Sequence, residues 1–143
     1  MSYFEIGIFQ TKTEQNVGTL WRSAVQFGAA GVFTIGKRYK RQSSDTCKTR
    51  FNIPLRHFET LDQMLSCRPV GAVLVGIEMG GIPLAFFQHP QQAIYLLGAE
   101  DNGLSRDAIE KCNRIVTLES AICPSYNVAV AGSIVLYDRV FGK

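Results

Sequence analysis

Within the 143 residues, a few side-chain groups have types and spacing that could do chemistry. The densest is basic: Lys37, Arg38, Lys40, Arg41, Lys48 and Arg50, with Tyr39 among them and Asp45 opposing them. Cations interleaved with an aromatic ring suit a phosphate backbone and a stacked base. The same run would also serve as an ordinary solvated loop. A second group is a tight loop in which Gly98 and Gly103 flank Glu100 and Asp101. With its two carboxylates and no lysine it is ill suited to cradle phosphate. A third is the stretch around Pro124, Ser125 and Asn127, between an apolar run and a helical pattern. Ser125 or Asn127 can cap that helix, and free backbone groups at such a junction can equally meet a small ligand. Arg22 stands about one and a half turns past a helix cap that Asn16 can supply, either as a solvated side chain or as a working cation. Cys47, Cys67, Cys112 and Cys123 form no C-x-x-C pair, and only His57 and His89 could assist them. That is not zinc spacing, so no metal is expected.

The elements that must position these groups follow from periodicity. Residues 4–10 read as a strand and 11–15 as a loop. Residues 16–31 read as a helix with Val17, Leu20, Trp21, Ala24, Val25 and Gly28 on one stripe, ended at Gly28 or Gly31. A strand at 32–35 follows. Thr60 and Gln63 have capping-box spacing for a short helix across 58–67. Residues 70–77 form a nearly continuous apolar run, the mark of a strand buried on both faces. Glu78, Met79, Gly80, Gly81 and Pro83 break it. Strands at 93–97 and 114–118, a helix at 104–112 and a last helix from Val128 complete the chain. On that last helix Val128, Ala131, Ile134, Val135 and Phe141 fall near one face. Alternating strands and helices predict an α/β fold, a mostly parallel sheet flanked by helices. Ligands in such sheets sit beyond the carboxyl ends of the strands. The turns after Ile77, Leu97 and Leu118 therefore form one candidate pocket.

The length suits a single domain, residues 1–143, with one substantial core. No apolar run reaches the roughly 18 residues needed to cross a bilayer, so no membrane is expected. The amino terminus carries Glu5 and no basic cluster, unlike a signal peptide. A cytoplasmic protein with reduced thiols is the expectation. The net charge of +3 permits an acidic partner without demanding one.

Three segments together carry a resemblance: Asn16-Val-Gly-Thr-Leu-Trp-Arg22, Leu97-Gly98-Ala-Glu100-Asp-Asn-Gly103-Leu104-Ser105, and Ser125-Tyr126-Asn127-Val128-Ala129. In order, spacing and strand–loop–helix context they resemble the three motifs of the SPOUT methyltransferases, in the SpoU (TrmH-like) branch that methylates ribose 2′-oxygens in RNA. Val75-Gly76-Ile77-Glu78, followed by Ile82-Pro83-Leu84, fits the same pattern. The resemblance covers nearly the whole chain and is similar to the minimal members, which act on tRNA as homodimers. It implies a C-terminal deep trefoil knot, and S-adenosyl-L-methionine (SAM) held at Gly76, Ile77, Glu78, Gly98, Glu100, Gly103, Thr117, Leu118, Ser125 and Asn127. Glycine at 98 would let the backbone approach the ligand closely. Glu100 is favoured as a buried acceptor that holds loops together.

The implied reaction is attack of a ribose 2′-oxygen on the sulfonium methyl group, releasing S-adenosylhomocysteine. Its implied catalytic residues are Arg22, Asn16, Ser125 and Asn127. An arginine is a poor base, so a cationic Arg22 that gathers the target phosphate and stabilises charge on oxygen is the better role. In the family dimer the arginine of one subunit lies near the SAM pocket of the other. The basic residues from Lys37 to Arg50 would hold the RNA, with tRNA the expected substrate. The chain departs from the family in the third motif. Thr117, Leu118 and Glu119 stand where Ile-Pro-Met is usual, and Ala129 replaces a serine. Because adenine contacts are largely backbone, SAM binding would survive, at reduced affinity. Two alternatives stay open: a knotted module that binds SAM or RNA without turnover, and an unrelated nucleotide-binding α/β protein.

Overall fold

The computed structural model describes residues 2–36 and 53–142. The basic run at Lys37, Arg38, Lys40, Arg41, Lys48 and Arg50 lies outside the described residues. In chain order the elements are β1 (Tyr3–Phe9), α1 (Glu14–Phe27), β2 (Gly31–Ile35), β3 (Leu55–Phe58), α2 (Leu61–Cys67), β4 (Val73–Pro83), β5 (Gln92–Leu97), α3 (Arg106–Lys111), β6 (Arg114–Thr117) and α4 (Val128–Phe141). The strands form one six-stranded sheet in the order β3-β2-β1-β5-β4-β6. Every neighbouring pair runs parallel.

Both faces of the sheet are covered, and β5 shows why. Ala93, Tyr95 and Leu97 turn to one face, where they meet Val17 and Leu20 of α1 and Val135 and Leu136 of α4. Ile94 and Leu96 turn to the other, against Leu61 and Met64 of α2 and Ala108 of α3. A strand buried on both sides cannot alternate with polar residues, which accounts for the unbroken apolar runs. Each fully buried aliphatic side chain contributes about 1.5–3 kcal/mol. No helix among the described residues is long and apolar enough to cross a membrane.

Local chemistry sets the element ends. Thr60 caps α2 by accepting from the Gln63 N–H at 3.1 Å, and Gln63 answers by accepting from the Glu59 N–H at 2.7 Å. Ser105 caps α3 through the Ala108 N–H at 3.1 Å. Gly28, at φ 81, closes α1 with its N–H on Val25 while Ala29 reaches back to Ala24.

The structure corrects several expectations. Helix α1 begins at Glu14, so Asn16 lies inside its first turn rather than at the cap, and Arg22 is more than two turns in. Val70 lies outside the strand and is 98% exposed, because β4 begins only at Val73. At its other end β4 runs on past Glu78 to Pro83, with a register shift against β6 between Ile77 and Ile82. Residues 78–81 bulge there, and Gly80, at φ 85, supplies the left-handed turn. The edge strand β3 carried no expectation at all. On α4, Val128, Ala131 and Val135 face the core, but Ile134 and Phe141 point outward with Val130 and Tyr137.

Candidate functional site

The exits of β4, β5 and β6 lie side by side because β4 sits between the other two strands. A cleft of about 270 Å³ opens there, near the lower end of the roughly 300–1,000 Å³ usual for small-ligand sites. Its walls include Ile77, Glu78, Gly98, Glu100, Thr117, Leu118 and Ser125. Seven of the ten residues expected to hold a cofactor are thus gathered in one place. The cleft wall does not include Gly76, Gly103 or Asn127. Gly76 is buried, and a Cβ there would press on Cys112 and Ile115. Burial pushes the Cys112 thiol up to about 11, so it is no nucleophile. Tyr126, within the expected 117–127 loop, also lines the cleft, as do Val128 and Ala131 of α4, for which the sequence carried no such expectation.

Glycine at 98 is required for a different reason than expected. A Cβ on Gly98 would overlap the backbone of Gly103 and Leu104, so the close approach is made by the loop to itself. Gly103, at φ 64, pairs with Ala99 in a short antiparallel bridge and backs onto the Glu78 carboxylate. Glu78 Oε2 accepts the Leu104 N–H at 2.8 Å and Oε1 accepts the Met79 N–H at 2.8 Å. Glu78 is therefore committed to its own chain.

A second set of bonds joins the three motifs. Asn127 caps α4, its Oδ1 accepting from the N–H groups of Ala129 at 2.9 Å and Val130 at 3.1 Å. That fixes its amide orientation, so Nδ2 donates to Asn16 Oδ1 at 3.1 Å. Asn16 Nδ2 in turn donates to Glu100 Oε1 at 2.8 Å, and Thr11 Oγ1 donates to the same oxygen at 2.9 Å. The Lys12 N–H reaches Oε2 at 3.3 Å. Each amide has one role available and takes it. Burial works to raise the Glu100 carboxyl, but hydrogen bonds from its own backbone, Asn16, Thr11 and Lys12 outweigh it and hold the group below its ordinary value. Glu100 is thus a structural carboxylate, as favoured from the sequence. Thr11, 3% exposed, is a partner that local spacing gave no signal for.

The remaining wall is Pro124, Ser125 and Tyr126, held by the 119–126 segment. The Tyr126 hydroxyl donates to Glu119 O at 2.6 Å, and Ser120 Oγ accepts from the Cys123 N–H at 3.1 Å and donates to the Cys123 carbonyl. The segment is tied to itself, which leaves Ser125 exposed at the cleft. Arg22 does not line the cleft. It is exposed on α1 and makes no hydrogen bond or ion pair with a described residue. Its neighbour Ser23 bonds Ser133 of α4 at 2.7 Å, beside a shallow apolar groove formed by Thr19, Phe27, Val130, Ile134 and Tyr137.

The chemistry of the cleft discriminates between ligands. Among the described residues its lining contains no Lys, Arg or His. The Glu78 and Glu100 carboxylates on its wall disfavour a phosphate, and the apolar sides formed by Ile77, Leu97, Val128 and Ala131 suit an uncharged ring. Backbone groups at residues 98–100 and 117–118 supply donors and acceptors without charge. A nucleoside carrying a sulfonium fits this set better than a nucleotide does. Among the described residues no cluster of His, Cys, Asp or Glu could hold a metal ion.

Comparison with known proteins agrees with this geometry. Residues 3–137 match the model of the SpoU rRNA Methylase family. An uncharacterised tRNA/rRNA methyltransferase of Archaeoglobus fulgidus is 27% identical over 130 residues, 87% of this chain and 58% of the relative. Another, from Mycolicibacterium gilvum, is 29% identical over 131 residues, 87% of this chain and 42% of the relative. The chain thus spans about half the length of these curated relatives. Among solved structures, the SpoU methyltransferase AviRb of Streptomyces viridochromogenes in complex with AdoMet superposes with a TM-score of 0.84 at 23% identity, over 97% of this chain and 57% of that one. A chain from a structural study of the 2-OH methylation of C/U34 on tRNA gives 0.84 at 19% identity and covers 99% of both. At these identities the likeness is one of fold.

Proposed function

The chain belongs to the SpoU rRNA Methylase family, and from that premise we propose that it transfers a methyl group from SAM to a ribose 2′-hydroxyl of RNA, with tRNA as the substrate and a homodimer as the working form. The observation that carries this reading is one cleft lined by the second and third motif segments, with the first segment tied to it through the Asn127–Asn16–Glu100 hydrogen bonds. The trefoil knot is implied by the fold. SAM, when bound, would supply a methyl group on a sulfonium: its C–S bond would break as the bond to the ribose oxygen forms, S-adenosylhomocysteine would leave, and the hydroxyl proton would pass to solvent.

The chain's own residues do the rest. The 98–104 loop and the 117–126 segment bind and orient through backbone groups. Ile77, Leu97 and Val128 exclude water from one side. Ser125, exposed at the rim, is placed to touch the incoming ribose. Asn16 and Asn127 act through geometry, because their amides are occupied by each other and by Glu100. Arg22 is the cation that meets the phosphate and stabilises developing charge on the 2′-oxygen. Holding the two reactants in line can contribute about 7 kcal/mol or more to the rate.

Arg22 does not line the cleft of its own chain, so in this reading a second subunit brings an arginine to it. The outward apolar stripe of Val130, Ile134, Tyr137 and Phe141 on α4 supplies the surface for that contact. The substrate reading is supported by the structural neighbour from the study of tRNA C/U34, which matches this chain over its whole length.

The test is incorporation of labelled methyl from SAM into unmodified tRNA, followed by nuclease digestion and identification of the methylated nucleoside. Ribose-methylated product from the intact chain, with none from Arg22→Ala of unchanged melting temperature, is the expected result. Label on a base, or full activity in Arg22→Ala, would remove the proposed chemistry.

A further inference from the structure

One hydroxyl at the floor of the cleft has a double engagement that the reaction itself does not use. Thr117 is the last residue of β6. Its Oγ1 donates to the Glu78 carbonyl at 2.6 Å and accepts the Gly81 N–H at 2.7 Å. Those two partners are the two ends of the β4 bulge. The hydroxyl thus fills the place where the β4–β6 ladder loses register between Ile77 and Ile82. Without it the Gly81 N–H has no strand partner. From Glu78 the connection continues. The same residue whose carbonyl is held by Thr117 receives the Leu104 N–H on its carboxylate, at 2.8 Å. Gly103, next in line, lies so close to that carboxylate that a Cβ would overlap it.

We infer that Thr117 and Glu78 are positioning residues that form one brace, from β6 across the β4 bulge to the 98–104 loop, and that this brace sets the width of the cofactor cleft. The inference rests on the reading of that cleft as the SAM site. The physical argument is short. Glu78 and Thr117 both line the cleft, and Met79, 57% exposed, stands on the bulge between Glu78 and Gly81. If the bulge drifts, Met79 and the Glu78 carboxylate drift with it, and the 98–104 loop loses its hold on one side. Little core packing is lost, because Met79 and Gly80 are exposed and water can reach the freed groups. The cost falls on cleft shape rather than on folding. The chemistry is also selective at each position. Serine keeps the hydroxyl, whereas valine keeps the shape and loses both bonds. At Glu78 both oxygens accept from backbone N–H groups, so glutamine would set an amide N–H against one of them.

The test uses the intact protein with Thr117→Val, Thr117→Ser and Glu78→Gln, and two readouts. Amide hydrogen exchange without ligand reports on the brace itself. Titration calorimetry with SAM reports on its consequence. The expected result is faster exchange at Gly81 and Leu104 in Thr117→Val. Its SAM affinity should fall about tenfold, because binding must then also restore the shape of the cleft. Melting temperature should be nearly unchanged, and Thr117→Ser should restore both readouts. Glu78→Gln should speed exchange at Leu104 and weaken SAM likewise. Wild-type SAM affinity in Thr117→Val, or exchange at Leu104 unaffected by both valine and glutamine, overturns the brace while leaving the SAM site standing. Absence of SAM binding in the unmutated protein, with exchange responding as described, overturns the assignment of the cleft and with it the role given to the brace.

Discussion

Asn16 must donate to Glu100 and accept from Asn127 at the same time, and it is 7% exposed while doing so. Replacing it with aspartate removes the donor and places a second carboxylate against Glu100. The expected outcome is a loss of stability of at least about 1–3 kcal/mol, read from the denaturant midpoint, with Asn16→Ala costing less because no charge is added. Gly98 is as constrained, for a steric reason. Alanine there would collide with the Gly103 and Leu104 backbone, so Gly98→Ala should open the 98–104 loop and abolish SAM binding by calorimetry. Neither role could be read locally. A polar residue ahead of an apolar stripe looks like a helix cap, and Asn16 was expected there. Its real partners lie 84 and 111 residues further along the chain. For Gly98 the sequence announced a need for glycine but not the atom that imposes it. Asn127, by contrast, was legible as a cap, because its partners, Ala129 and Val130, are its immediate neighbours.

Helix α4 is apolar on nearly every side, and that composition hides which side is inward. Val128, Ala131, Gly132 and Val135 are buried, and a Cβ on Gly132 would meet Leu20, Leu97 and Ile6. The opposite stripe of Val130, Ile134, Tyr137 and Phe141 stays in solvent in a single chain, with Tyr137 and Phe141 gathered around Phe27. Periodicity put Ile134 and Phe141 on the inward face because hydrophobicity alone cannot order two apolar stripes. Ile134→Asp should leave the helix content of the monomer intact and shift sedimentation towards the monomer, with methyl transfer falling in parallel. An unaltered dimer would place the subunit contact elsewhere. β4 was under-read for a related reason. Glu78, Gly80 and Gly81 look like strand breakers, yet a bulge stitched by Thr117 lets the strand continue to Pro83. β3 offers only four residues, too few for an alternating pattern to register.

The parallel sheet was more legible than any single boundary, since strand–helix alternation leaves it as the economical solution and puts the site at the strand exits. The far end of the sheet holds a feature with its own pH signature. Arg139 donates to the Tyr95 hydroxyl at 3.0 Å, which leaves that hydroxyl to donate to His89 Nδ1 at 2.6 Å, and His89 Nε2–H to donate to Asp138 at 2.8 Å. The relay ties α4 to β5 with a neutral imidazole. Burial holds His89 below its ordinary value and outweighs the opposing pull of Asp138. The sign follows. A depressed histidine stabilises the fold fully above its unfolded value, near pH 6.5, and that contribution is lost as pH falls. The denaturant midpoint should therefore decline as pH drops below about 6.5, and His89→Gln should flatten that decline. The slope from Glu100 belongs to a separate window, below about pH 4.3. The whole account rests on a sulfonium donor in the cleft and a ribose before it. Mass mapping of ribose-methylated nucleotides in total RNA from cells with and without this protein tests it most directly. The account predicts that one 2′-O-methylated tRNA nucleotide disappears when the protein is absent and returns with the intact chain but not with Arg22→Ala. An unchanged ribose-methylation map would contradict it.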